Sequence, residues 1–236
     1  MVNNLQGYPS NKICKEITIV AFGDSITEAI IDLRPEQKWT ILLEKKLNSY
    51  KNICWTVVNS GVGGNTSREG LARIQKDVIS YKPDIVLVEF GGNDACPDKE
   101  RAVCLKEYIN NLDAISEKLV CTGVEVILLT FSPIVDDWHI FGDDEKYMNV
   151  GGLDNFIELY RKASREFAKE KDLKLIDIDV VLRKACIMHA RDQIIMKDGV
   201  HLTAKANEIV SDAICNYLVS QLIVGNADEL AKLDWK

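Results

Sequence analysis

The chain has 236 residues, is 47% hydrophobic and 28% charged, and carries a formal net charge of −7. That balance predicts a soluble globular protein with a sizeable core. With no basic stripe, it argues weakly against nucleic acid and anionic membrane surfaces as partners, because phosphate backbones are held by clustered Lys and Arg.

The length predicts one domain over residues 1–236, with a core from about 15 to 222 and a short polar tail from 223. The opening segment "MVNNLQGYPSNKICKE" has no apolar stretch of signal-peptide length, and no apolar run approaches a membrane span. Five β-rich apolar runs then alternate with helical patterns. "ITIVAF" (17–22) precedes a helix-like stretch at 35–49. "WTVVN" (55–59) leads through a glycine-rich turn into a helix with Leu71, Ile74 and Val78 on one face. "DIVLVEF" (84–90) is followed by a helix with Leu105, Ile109, Leu112 and Leu119 in register. "VEVILLTF" (124–131) precedes a polar loop and a helix carrying Phe156, Tyr160, Ala163 and Phe167. "LKLIDI" (173–178) is the fifth run, and a last helix carries Ile209, Ala213, Tyr217 and Leu218. Nearly continuous apolar strands with amphipathic helices between them predict an α/β fold: a five-stranded parallel sheet covered on both faces.

The unusual residues fall after these strands. "GDS" follows the first, "SGVGGNTS" the second, "GGND" the third and "DGVH" (198–201) the fifth, just ahead of the last helix. In an open α/β sheet these points share one edge, where ligands bind. A serine hydroxyl needs a base to become a nucleophile. His201, three residues after Asp198, supplies an imidazole whose second nitrogen a carboxylate can orient. Acyl transfer also needs donors for the developing oxyanion: the backbone N–H groups of Ser25 and Gly64 and the Asn93 amide are the candidates. Asp24, Trp138, His139 and Val200 are candidate substrate contacts, although Asp24 also suits a turn-stabilising role.

The blocks "FGDSIT", "NSGVGGNTS", "GGND" and "DGVHLT", in order across residues 22–203, resemble those of the SGNH hydrolases, also called the GDSL esterase/lipase family. The resemblance is to the bacterial thioesterase, lysophospholipase and arylesterase branch and to carbohydrate acetylesterases. It implies a three-layer α/β/α sandwich of flavodoxin-like appearance. It also implies Ser25 as nucleophile, Asp198 and His201 as the rest of a triad, and Gly64 and Asn93 as oxyanion donors. Ile26 stands where the family name has Leu, a change between branched aliphatics.

Each motif also has a plainer reading. Ser25 is a favoured helix cap. Asp94 suits the cap of the following helix, His189 a helix end, and His139 an ordinary loop. "GVGGNT" lacks the third glycine of a dinucleotide loop, and neither a P-loop nor a G-x-S-x-G elbow occurs. No calcium-loop pattern is met, so neither metal nor cofactor is expected. The partner of Glu89, an acid within an apolar strand, is left open between a base such as Arg73 and the crevice.

The seven cysteines form no C-x-x-C pair and are expected to be free small hydrophobes in a reducing cytoplasm. The expected function is a cofactor-free serine esterase acting on a small-molecule ester. The acidic, aromatic segment 131–152 favours neutral short-acyl esters such as acetylated sugars. The alternatives are a lysophospholipase or acyl-thioesterase, an O-acyltransferase with the same residues, and a non-catalytic binding module. Homo-oligomerisation is left open.

Overall fold

The apolar runs become five parallel strands: β1 (Lys15–Gly23), β2 (Ile53–Gly61), β3 (Ile85–Glu89), β4 (Glu125–Leu129) and β5 (Lys174–Ile176). The computed structural model describes residues 14–29, 33–50 and 53–225, so the opening segment and most of the expected tail lie outside the described residues. The sheet order is β2-β1-β3-β4-β5. The chain steps from β1 to one side and then back across it to β3, which opens a crevice at the carboxyl ends of β1 and β3. Central strands are buried as the apolar runs require: every residue of β3 is inside, as are Ile19 to Phe22 of β1. Edge strand β2 instead alternates, burying Trp55, Val57 and Ser60.

Eight helices accompany the strands among the described residues: α1 (Ser25–Glu28), α2 (Trp39–Leu47), α3 (Ser67–Asp77), α4 (Leu105–Val120), α5 (Glu145–Met148), α6 (Leu153–Glu170), α7 (Ile178–Met188) and α8 (Ala204–Gly225). α2 and α7 pack on α8 in one layer, and α3, α4 and α6 pack together in the other. The result is the predicted three-layer sandwich. Thr66 and Glu69 begin α3 with a capping box, the Thr66 hydroxyl accepting from Arg68 N at 3.2 Å and Glu69 accepting from Thr66 N at 2.7 Å.

Two expectations are corrected. The fifth strand stops at Ile176, because Asp177 caps α7 by accepting from Val180 N at 3.2 Å. The segment Asp198–His201 therefore arrives not from a strand tip but from the loop after α7, closed by an antiparallel bridge between Ile195 and Leu202. Nor are all cysteines free. Cys14 and Cys54 form a disulfide between the starts of β1 and β2, where Cys54 pairs in register with Glu16. Disulfides persist in oxidising compartments, so the free-thiol argument for the cytoplasm no longer holds.

The loop after β4 matters to the crevice and is anchored by a buried cation. The Arg161 side chain is fully enclosed; it donates to the carbonyls of Phe131 (3.1 Å) and Ser132 (2.7 Å) and pairs with Asp154 (2.7 Å) and Asp179 (3.3 Å). Replacing Arg161 with Met is expected to cost about 1–3 kcal/mol, since the Phe131 and Ser132 carbonyls lose their donor while Asp154 keeps Arg183 and Asp179 keeps Arg165 and Arg183. Urea unfolding checks this: the midpoint falls, and an unchanged midpoint would contradict the anchoring role.

Candidate active site

Ser25 is the first residue of α1, but the cap of that helix is Asp24. Asp24 Oδ1 accepts from Ile26 N at 2.9 Å, leaving the Ser25 hydroxyl available for other contacts. α1 is a single turn, closed by Ala29 in the left-handed region at φ 51°. The Trp39 indole N–H donates to the Ile26 carbonyl at 3.1 Å and fixes the turn to α2. Being in the first turn, the Ser25 N–H has no intrahelical acceptor.

His201 Nε2 lies 3.0 Å from Ser25 Oγ, and His201 Nδ1 lies 2.6 Å from Asp198 Oδ2. The other carboxylate oxygen accepts from Val200 N (3.0 Å) and His201 N (2.9 Å). Burial by itself would raise the Asp198 carboxyl, but these two N–H groups and the His201 ring outweigh it and hold it below its ordinary range. Gly199 makes the turn possible. Its φ is +80°, and a Cβ there would sit 2.6 Å from the Val135 carbonyl. The Gly199 carbonyl accepts from Val135 N at 2.8 Å, which seats the turn on the loop that Arg161 anchors.

Asn93 opens the short helical turn Asn93–Ala95 after β3. Its amide donates to Asp24 Oδ2 at 3.0 Å and to the Asn65 carbonyl at 3.1 Å, so both hydrogens have partners within the protein. Gly64 precedes Asn65 with a φ of +77°, and its carbonyl accepts from Arg101 Nη2 at 2.8 Å. The neighbouring Gly63 N–H donates to Glu28 Oε2 at 2.6 Å, which sets it apart from Gly64 as an available donor. Asp94 does not cap α4 as expected. It is buried and accepts from the Ser67 N–H and hydroxyl at the start of α3.

A cavity of about 260 Å³ opens beside Ser25. Phe131, Ile134, Phe141, Leu153 and Ile157 form much of its apolar wall, and Ser25, Asn93, Asp198 and His201 line it as well. Of the candidate substrate contacts, His139 and Val200 line it. The other two do not. Asp24 is fully buried behind the Ser25 turn. Trp138 packs on the core, with Lys197 Nζ 4.1 Å from its ring centroid. His139 is half-buried, its Nδ1 accepts from Phe141 N at 3.1 Å, and burial lowers its pKa. The wall residues Leu153 and Ile157 were not singled out in the sequence, because an apolar helix face reads as core whether it meets a strand or a cavity. Among the described residues no cluster of His, Cys, Asp or Glu could hold a metal ion, and no helix is long and apolar enough to cross a membrane.

Burial raises the Asp94 carboxyl from 3.8 to about 6. Between those values the folded chain keeps a proton that the unfolded chain releases, so this group makes stability fall as pH rises through the window. Asp94→Asn is expected to flatten that part of the curve in urea titrations across the same pH range. A slope identical to the parent's would contradict the assignment.

The GDSL-like lipase/acylhydrolase family model matches residues 21–209. The chain is 38% identical over 203 residues to thioesterase 1/protease 1/lysophospholipase L1 of Escherichia coli, covering 85% of this chain and 83% of that one. It is 27% identical over 215 residues to an uncharacterised lipoprotein, YqeF, of Bacillus subtilis, covering 83% of this chain and 87% of that one. Among solved structures, the acetyl xylan esterase AlAXEase superposes with a TM-score of 0.70 at 25% identity, over 86% of this chain and 100% of that one. The four sequence blocks lie within the matched span, and the chain belongs to the GDSL-like lipase/acylhydrolase family, as a carboxylic ester hydrolase.

Proposed function

We propose that the chain is a serine esterase working through an acyl-enzyme, with Ser25 as nucleophile, His201 as general base and acid, and Asp198 as the group that orients His201. The observation that carries the reading is the 3.0 Å contact from His201 Nε2 to Ser25 Oγ, backed by the 2.6 Å contact from Nδ1 to Asp198. Ser25 Oγ attacks the ester carbonyl and its proton passes to His201 Nε2. The imidazolium is stabilised by Asp198, and the tetrahedral oxyanion is held by the N–H groups of Ser25 and Gly64 and by Asn93. For Asn93 to serve, the oxyanion takes the hydrogen now directed at the neutral Asn65 carbonyl, while Asp24 keeps the other. Collapse expels the alcohol, which takes the proton from Nε2. Water then repeats the sequence to free the acid and restore Ser25.

The acyl group is best accommodated in the apolar cavity. A cavity of about 150 Å³ is known to take benzene, so one of this size suits an acyl chain of roughly six to eight carbons. The aromatic and acidic grounds for a short-acyl sugar ester are weaker than the loop sequence implied. Trp138 lies under Lys197, and Asp136 Oδ1 is engaged by Asp154 N at 2.8 Å. Likeness to an acetyl xylan esterase keeps short-acyl esters as the second reading.

Ser25→Ala is expected to lower kcat by roughly four to six orders of magnitude while leaving the thermal midpoint near that of the parent. Asp198→Asn should cost about 10⁴-fold in kcat. Retention of parental ester hydrolysis by the Ser25→Ala protein would refute the nucleophile assignment. Rates on a series of aryl esters then place the acyl group. An optimum at about six to eight carbons supports the cavity reading, and a rate that declines steadily from acetate supports the short-acyl one.

A further inference from the structure

We infer that Glu89 is a neutral carboxylic acid that positions the nucleophile turn, its hydroxyl donating to the Asp24 carboxylate while Asp24 holds Ile26 N–H and the Asn93 amide on either side of Ser25. Its catalytic consequence rests on the proposed role of Ser25; the location of the proton does not.

Glu89 ends β3 and is 3% exposed. Its Oε2 accepts from the Thr27 hydroxyl at 3.0 Å, in the same turn as Ser25. Its Oε1 is buried and receives no hydrogen from any protein donor among the described residues. The Glu89 carboxyl packs against Gly23, beside the Asp24 carboxyl, and the Asp24 backbone N–H also acts on Glu89. Both Asp24 oxygens already accept, one from Ile26 N and one from Asn93 Nδ2. Asp24 is thus bonded as an ionised acceptor, and the proton that makes the contact attractive sits on Glu89.

The surroundings provide no other way to bring two carboxyls together. From α3, Arg73 points its guanidinium at the carbonyls of Gly23 and Ser60, at Asn65 Oδ1 and at Asp77. From the turn after β3, Asp94 adds negative charge nearby. From α4, the buried Tyr108 hydroxyl donates to the Phe90 carbonyl at 3.0 Å. The Arg73 charge acts on Asp24 without donating a hydrogen to either carboxyl, so two ionised carboxylates side by side here would repel with only that partial relief, and burial opposes ionisation further. Burial is the largest cause acting on both carboxyls, raising Glu89 well above its ordinary range and Asp24 to about 7.

The test compares two substitutions. In Glu89→Gln the amide keeps a hydrogen for Asp24 and an oxygen for Thr27. In Glu89→Leu the volume is similar but the donor is gone, leaving Asp24 and the Asn93 amide less constrained. Glu89→Leu is expected to lose about 10–100-fold in kcat with little change in KM, as small displacements of reacting groups do. Glu89→Gln should recover most of that loss. Infrared spectroscopy of the parent at neutral pH should show a protonated-carboxyl band that is missing from Glu89→Gln. The inference is overturned if Glu89→Gln falls as far as Glu89→Leu, if a folded Glu89→Leu keeps parental kcat, or if no such band exists. Should Glu89→Leu fail to fold, the band and the Glu89→Gln rate still decide. Labelling of parental Ser25 by a fluorophosphonate separates the two readings: no labelling defeats the nucleophile assignment, whereas the part of the infrared band that Glu89→Gln removes reports on the Glu89 proton.

Discussion

The Asp24 carboxylate joins the two strand ends on which the site depends. One oxygen fixes the first turn of α1, the other fixes the Asn93 amide, and the Glu89 carboxyl lies against it from the end of β3. β1 and β3 are neighbours only because the strand order turns back at β1. Sheet topology thus brings Ser25 and Asn93 to one edge, and a single buried side chain sets their spacing. A fully buried carboxylate is costly unless its lone pairs are filled. The same requirement that makes Asp24 hard to accommodate makes the geometry around it specific.

The other half of the site is built differently. Asp198 and His201 lie in a loop, which has no ladder to fix it. Its stiffness comes from within and from below. Asp198 bonds two backbone N–H groups of its own turn, the Ile195–Leu202 bridge closes the base, and the Gly199 carbonyl accepts from Val135. Val135 belongs to the segment whose start is gripped by Arg161. A chain of contacts therefore runs from the middle of α6 through the loop after β4 to the imidazole. The same segment supplies Phe131 and Ile134 to the cavity wall, so His201 and the cavity share one support.

The sequence made the sheet, its layering and the grouping of Ser25, Asn93, Asp198 and His201 legible for physical reasons. Buried central strands are apolar throughout, helices repeat every three to four residues, and the ends of β1 and β3 converge whatever lies between them. Asp198 and His201, which lie in a loop, were legible only through the motif they complete. What it hid were relations set by space alone. Asp24, not Ser25, is the cap, a choice between two good cap residues that only the turn's orientation decides. Asp94 bonds backwards to Ser67 and not forwards to α4. Trp138 sits in the right loop but faces Lys197. The helix α7 was obscured because Ile178 extends an apolar run past the cap at Asp177. The Cys14–Cys54 pair spans two strands whose adjacency no spacing rule reveals.

Three acids, Asp24, Glu89 and Asp94, are buried within this region, and hydrogen bonds to Ile26, Asn93, Thr27 and Ser67 take the place of ion pairs. An apolar sheet end would be more stable at neutral pH, since raised carboxyl pKa values mean that folding works against ionisation. Yet apolar groups pack without direction. The Ser25 turn needs angles as well as distances, and hydrogen bonds in a low-dielectric interior supply angles that dispersion cannot. That polar cluster lies at the one sheet end where Ser25 must meet an imidazole delivered from a separate loop, which is where directional contacts have the most to contribute and where some loss of stability is tolerated for function.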